Sequence, residues 1–188
     1  MNKLVKKLML VAAMLMLAAG PSFAADAIRI GLMCPLTGKW ASEGQDMQQI
    51  VSLLVSEVNK AGGINGKQIE LIVEDDAGDP RTASLAAQKL ASAGVMAVIG
   101  TYGSAVTEAS QNIIDEAEIM QIATGSTSVR LTEKGLPLFF RTCPRDDEQG
   151  RVASKVIAAK GFKKVAILHD NSAYAKGLAD EARQRIID

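Results

Sequence analysis

Short apolar segments and amphipathic stretches alternate along this chain, and that alternation constrains its fold more than any single motif does. Ile28 to Met33 reads as a strand. From Gln45 to Ala61 the apolar residues recur at Met47, Ile50, Val51, Leu54, Val55 and Val58, one stripe of a helix laid on a sheet. Gly62 and Gly63 stop that helix and Asn65-Gly66 makes a tight turn. Gln68 to Glu74 is a second strand and Thr82 to Ala93 a second helix. Ala97 to Ile99 is a short buried strand, followed by a helix to Ala117. Ile119 to Ala123, Leu138 to Arg141 and Lys164 to His169 read as further strands, with helices over Gln149 to Lys160 and from Ala173 onward. Such a β-α-β-α series predicts the α/β class, a parallel sheet with helices on both faces. The loops at the carboxyl ends of the strands then share one edge, where open α/β sheets bind ligands. Those loops carry Trp40 and Glu43, Asp75 and Asp76, Tyr102 and Ser104, and Ser126 and Thr127.

The centre of the pattern is AVIGTYGSAVTE, residues 97–108. Gly100 and Gly103 let the backbone turn tightly and come close to another molecule. Ser104 and Thr107 fall where a helix begins, and a helix N-terminus exposes unpaired N–H groups at the positive end of its dipole. Ser104 is thereby either a simple helix cap or part of an anion-binding turn. Downstream, Thr124 to Ser128 form a second loop rich in hydroxyls and open backbone.

The chain has 188 residues, with 21 basic and 21 acidic side chains. That balance offers no basic excess to neutralise phosphates, so nucleic acid is not an expected partner. Lys3, Lys6 and Lys7 precede an apolar run from Leu8 to Ala19, too short to span a bilayer comfortably. Ser22-Phe23-Ala24 supplies the small residues read by a signal peptidase, so residues 1–24 are expected to be a signal peptide cleaved after Ala24. Cleavage removes three lysines and no acids, taking the formal charge from 0 to −3. The expected address is the bacterial periplasm. Export permits a disulfide, but Cys34 and Cys143 follow strands that are not expected to be neighbours, and two free thiols are expected.

Several catalytic signatures are absent. His169 is the one histidine, so a His-rich metal site has no basis here. No G-x-S-x-G elbow, G-x-G-x-x-G after a strand, or G-x-x-x-x-G-K-[ST] occurs. His169-Asp170 could be a catalytic pair, but a strand-end pair ordering a loop fits better, since adjacent strand residues point to opposite faces. Asp75-Asp76 could hold Mg²⁺ or accept a phosphoryl group; a solvated or helix-capping role is favoured for an exported chain. Ser104, Ser126, Thr127 and nearby N–H groups remain as donors without a nucleophile's base. Such donors suit a carboxylate that is held and not attacked. No enzymatic activity, cofactor or metal is expected.

Several segments together resemble the periplasmic leucine/branched-chain amino-acid-binding family, the solute receptors of ABC importers. They are IRIGLMCPLTG (28–38), VNKAGGINGKQIEL (58–71), EDDAGDP (74–80), VIGTYGS (98–104), ATGST (123–127), RLTEKG (130–135), FRT (140–142) and HDNSAYAKGLA (169–179). The resemblance implies a two-lobed type I periplasmic binding fold: a first lobe at 25–143, incomplete without C-terminal return segments, and the start of a second lobe at 144–188. It implies that Ser104, the backbone around Gly125 and Ser126, and Thr127 hold a ligand's α-carboxylate and α-amino groups, beside Tyr102, and that Tyr174 closes over the ligand. Glu43 matches the position where that family often sets an aromatic residue against the ligand side chain. A carboxylate there is costly to desolvate, which leaves open a polar or cationic amino acid, an amide or a small carboxylate beside branched-chain amino acids. Cysteines that form a disulfide in leucine-binding members are replaced here by Gly78 and Gly103. The implied partners are a small-molecule ligand and an inner-membrane ABC permease, with the protein a monomer. Alternatives are the extracellular sensing domain of a receptor, an exported α/β enzyme using Asp75 or His169, or a nonfunctional truncated fragment. The family's return crossings are missing, so the sequence is expected to be the N-terminal part of a longer protein or a truncated gene product. Sheet edges and apolar helix faces are then expected to be uncovered.

Overall fold

The structure, a computed structural model, describes residues 27–187. The expected signal segment lies outside the described residues. Five parallel strands form one sheet in the order β2-β1-β3-β4-β5. Strand β1 (Ile28–Cys34) pairs with β2 (Ile69–Asp75) along its whole length, from Ile28 opposite Ile69 to Cys34 opposite Asp75. Strands β3 (Ala97–Ile99), β4 (Met120–Ala123) and β5 (Phe139–Arg141) are shorter. Helix α1 (Ala41–Lys60) lies against β1 and β2. Helices α2 (Pro80–Ser92) and α3 (Ser104–Glu116) pack on each other, α2 over β1 and β2 and α3 over β4. A single helical turn, α4 (Arg130–Glu133), precedes β5. Beyond it α5 (Asp146–Ala159) and α6 (Ala173–Ile187) pack together.

The main core lies between the sheet and α2–α3, where Met33 and Val98 meet Ala86, Ala87, Leu90, Ile114 and Ile119. Fully burying a Leu or Ile side chain contributes about 1.5–3 kcal/mol. Small residues on α2 and Gly31 on β1 set this packing distance, since a Cβ on Gly31 would stand 3.1 Å from Leu90 Cδ2. Helix α2 begins cleanly because Pro80 occupies its first turn and Asp79 caps it, accepting from Thr82 N at 2.9 Å.

The structure departs from the sequence reading in three places. Helix α1 starts at Ala41, four residues before Gln45, because a 3₁₀ turn over Gly38–Trp40 runs straight into it. Its apolar stripe is also wider than its contact: Ile50 and Leu54 are 59% and 53% exposed, while Val51, Val55 and Val58 are half-buried. The expected strand over Lys164 to His169 does not form. That segment is irregular, with Leu168 93% exposed. Its residues are strand-like in kind, but it finds no ladder partner among the described residues, and an unpaired strand is not a stable unit. The sheet also has an open side. Paired residues in parallel strands share a face, so Leu32, Ile99, Ile122 and Phe140 form one row. Burial along that row falls from complete at Leu32 to 48% exposed at Phe140.

Candidate ligand cleft

Strand order reverses between β1 and β3, and the loops leaving these two strands part there to make a crevice. The loop after β1 delivers Trp40, the loop after β3 delivers Tyr102 and Gly103, and the loop after β4 delivers Gly125 to Thr127. Ser104 does not cap α3. Gly103 holds the cap position, and Ser104 is the first helical residue. The Ser104 Oγ accepts a hydrogen bond from Ser128 N at 3.2 Å, which ties the two loops together. That bond uses a lone pair, so the hydroxyl proton stays available for donation.

Behind the cleft wall runs a buried hydroxyl network. Thr107 bonds to Thr101 and to Ser126 through their hydroxyls, and Ser126 Oγ donates to Thr101 O at 3.3 Å. Arg141 clamps the same loop from β5. Its Nη1 donates to Ser126 O at 3.0 Å and Ser128 O at 2.9 Å, and its Nη2 to Thr132 Oγ1 at 2.9 Å. Partial burial lowers the Arg141 pKa from its ordinary value, yet the guanidinium stays charged.

Trp40, Tyr102, Gly103, Ser104, Gly125, Thr127 and Tyr174 line one cavity of about 180 Å³. Five of the seven residues singled out from the sequence are thus brought together. The other two stand elsewhere. Ser126 is fully buried, its hydroxyl spent in the inner network and its carbonyl in the arginine clamp. Glu43 lies in the first turn of α1, where its Oε2 accepts from Ser42 Oγ at 2.7 Å. That bond holds its carboxyl below the usual range. Thr127 is nearly buried, and its Oγ1 has no hydrogen-bond partner among the described residues.

Asp146 carries no distinguishing signal in the sequence. It is buried at the start of α5, and its N–H donates to Thr127 O at 2.9 Å. Burial pushes its carboxyl up, opposed by the nearby Thr127 hydroxyl, which is not aligned into a full hydrogen bond. It borders a second cavity of about 430 Å³, shared with Ser128, Arg130, Asn171 and Lys176. An acid at a helix start is commonplace, so only its burial distinguishes it.

The acidic loop has structural work. Asp75 accepts from Leu36 N at 2.8 Å, Thr37 Oγ1 at 2.6 Å and Ala77 N at 2.8 Å, tying the ends of β1 and β2. Asp76 is fully buried. Asp75 keeps part of its surface in solvent while Asp76 does not; neither caps α2, since Asp79 is the cap. Among the described residues, no group of three or more His, Cys, Asp or Glu is placed to hold a metal ion. His169 and Asp170 each accept from backbone N–H groups of their own loop, from Asn171 at 3.1 Å and Ser172 at 2.9 Å. Both cysteines are free. Burial first, then the Asp76 and Asp75 charges, pushes the Cys34 thiol up to about 12, so it stays protonated.

A crevice of hydroxyl donors and aromatic rings at the switch point of such a sheet has the chemistry to hold a small polar molecule. The sheet and its flanking helices have the type I periplasmic binding fold. The family described as periplasmic binding protein matches residues 27–186, and the chain belongs to it. The family is one of solute-binding proteins and not of enzymes. Leu/Ile/Val-binding protein homolog 1 of Brucella abortus is 41% identical over 172 residues, which cover 90% of this chain and 46% of that relative. The leucine-, isoleucine-, valine-, threonine-, and alanine-binding protein of Pseudomonas aeruginosa is 39% identical, with 90% and 46% covered. A solved structure, the branched-chain amino acid transporter substrate binding protein LivJ from Streptococcus pneumoniae in complex with isoleucine, matches with a TM-score of 0.80 at 34% identity. The match covers 85% of this chain and 47% of that one. The chain thus spans about half the length of the curated relatives it matches.

Proposed function

We propose that this chain carries the ligand-capturing cleft of a periplasmic solute-binding protein of an ABC importer. Its ligand is an amino acid or a similar small amino/carboxyl compound, delivered to an inner-membrane permease. Residues 1–24 direct export and are removed after Ala24; residues 25–143 are the first lobe and 144–188 the start of the second. The observation that carries the reading is that Ser104 and Thr127 line one small cavity at the N-terminus of α3. The helix end favours a carboxylate, and the hydroxyls donate to it. Tyr174, 41% exposed in the first turn of α6, lines the same cavity, which supports the reading that it closes over a bound molecule. Family membership and the ligands printed in the names of its relatives support the amino-acid class.

Ser104→Ala and Thr127→Ala test the reading. Each removes one charge-assisted hydrogen bond and should weaken amino-acid binding by about 1–3 kcal/mol. Calorimetric affinity left unchanged in both variants would remove these two residues from the site.

A further inference from the structure

Trp40 is the single tryptophan of the chain, and the structure seats it with unusual care. Its ring lies against two glycines on different loops. A Cβ on Gly78 would stand 2.8 Å from its Cε3, and a Cβ on Gly103 would stand 2.7 Å from its Cζ3. Real Cβ contacts essentially never come so close, so both loops must carry glycine for the indole to enter. Tyr102 is seated in the same way, since a Cβ on Gly125 would lie 2.7 Å from its ring and 2.9 Å from its carbonyl. The two rings meet edge to face, with centroids 5.6 Å apart and planes at 70°. Tyr174 brings a third ring to the same cavity.

Three missing side chains therefore position two rigid aromatic walls, and a third ring approaches from α6. An aliphatic side chain gains only buried area from such walls. A flat aromatic one also gains the edge-to-face and offset contacts that ring quadrupoles favour. A cationic side chain would find those rings attractive too, but Lys39 Nζ already stands 4.1 Å from the Trp40 ring centroid and would repel it. Glu43 is outside the cavity lining and accepts from Ser42 Oγ.

We propose that Trp40, with Tyr102 and Tyr174, makes the side-chain compartment of this cleft selective for amino acids with a planar aromatic side chain. The inference rests on the reading that the cleft holds an amino acid through Ser104 and Thr127. Trp40 is the specificity-determining platform.

The sole tryptophan makes the test direct. The full chain is titrated with L-phenylalanine, L-tyrosine, L-leucine, L-isoleucine and L-arginine by calorimetry, while tryptophan emission is followed in parallel. Phenylalanine should bind about tenfold more tightly than leucine, with a change in Trp40 emission. Trp40→Leu should bring the phenylalanine-to-leucine affinity ratio down to about one. Tyr174→Leu, on a half-exposed residue that packs no core, should reduce the preference in the same direction if Trp40→Leu fails to fold. Leucine or arginine bound as tightly as phenylalanine, or phenylalanine bound without any change in Trp40 emission, would overturn the aromatic platform and leave the amino-acid reading standing. Heat from none of the five amino acids would overturn both.

Discussion

Asp76→Asn is the perturbation whose effect the structure specifies most fully. Asp76 is fully buried beneath the acidic loop. Its Oδ1 accepts from Gly78 N at 2.8 Å, and its Oδ2 has no partner among the described residues. Burial drives its pKa from 3.8 up to about 6; the Asp75 charge adds to the rise and the Gly78 N–H opposes it. Between these two values the folded protein keeps a proton that the unfolded chain has released. The associated stability is fully present below the unfolded value of 3.8 and is lost as pH rises through about 6. At about 1.4 kcal/mol per pKa unit, the loss has a ceiling of about 3 kcal/mol. Asparagine keeps the acceptor for Gly78 and never ionises. Its own desolvation cost is the same at every pH, so the diagnostic quantity is the change in the difference between variant and parent. Urea unfolding of both proteins from pH 4 to pH 8 should show Asp76→Asn gaining about 1–3 kcal/mol on the parent across that window. Curves that run parallel would refute a proton-holding Asp76. A gap that opens toward acid would mean that the carboxylate is stabilised in its ionised form.

Two further perturbations address the architecture of the cleft. Gly125→Ala places a methyl 2.9 Å from the Tyr102 carbonyl, a backbone atom that cannot swing aside. The resulting strain of about 1–3 kcal/mol should lower both stability and ligand affinity, and pairing it with Tyr102→Ala should rescue only part, as read from a double-mutant cycle. Arg141→Lys keeps the charge but loses the fork that reaches Ser126, Ser128 and Thr132. It should cost about 1–3 kcal/mol and raise hydrogen exchange across residues 126–128 specifically; uniform exchange would argue against a local clamp.

Much of this protein could be read from its sequence because the signals are local. The helix stripes, the glycine stops and the short apolar strands each lie within one element, and every strand of the sheet was anticipated to within a residue or two. That Trp40, Tyr102, Ser104 and Thr127 fall on loops along one edge was also legible, since the loops at the carboxyl ends of parallel strands share that edge. The early start of α1 has a local cause, the 3₁₀ turn that runs into it, whereas the other departures depend on a neighbour distant in sequence. Lys164 to His169 has strand composition, but a strand exists only where a ladder partner stands beside it. The α1 stripe is periodic, but its width in the sequence does not fix how far the sheet beneath it extends. Ser104 could cap or face the cleft, and the choice fell to Gly103, which took the cap position, and to Ser128, which engaged the hydroxyl.

Periodicity and turn chemistry determined that this chain forms a parallel α/β sheet with its polar residues along one edge, because a side chain's face follows from φ, ψ and residue spacing. Tertiary structure alone decided that Gly78, Gly103 and Gly125 are gaps filled by Trp40 and Tyr102, that Asp76 is buried while Asp79 caps, and that Asp146 meets Thr127. The glycine–aromatic contacts and the Asp146–Thr127 contact each join different loops or elements, and only the tertiary fold brings their atoms within contact distance.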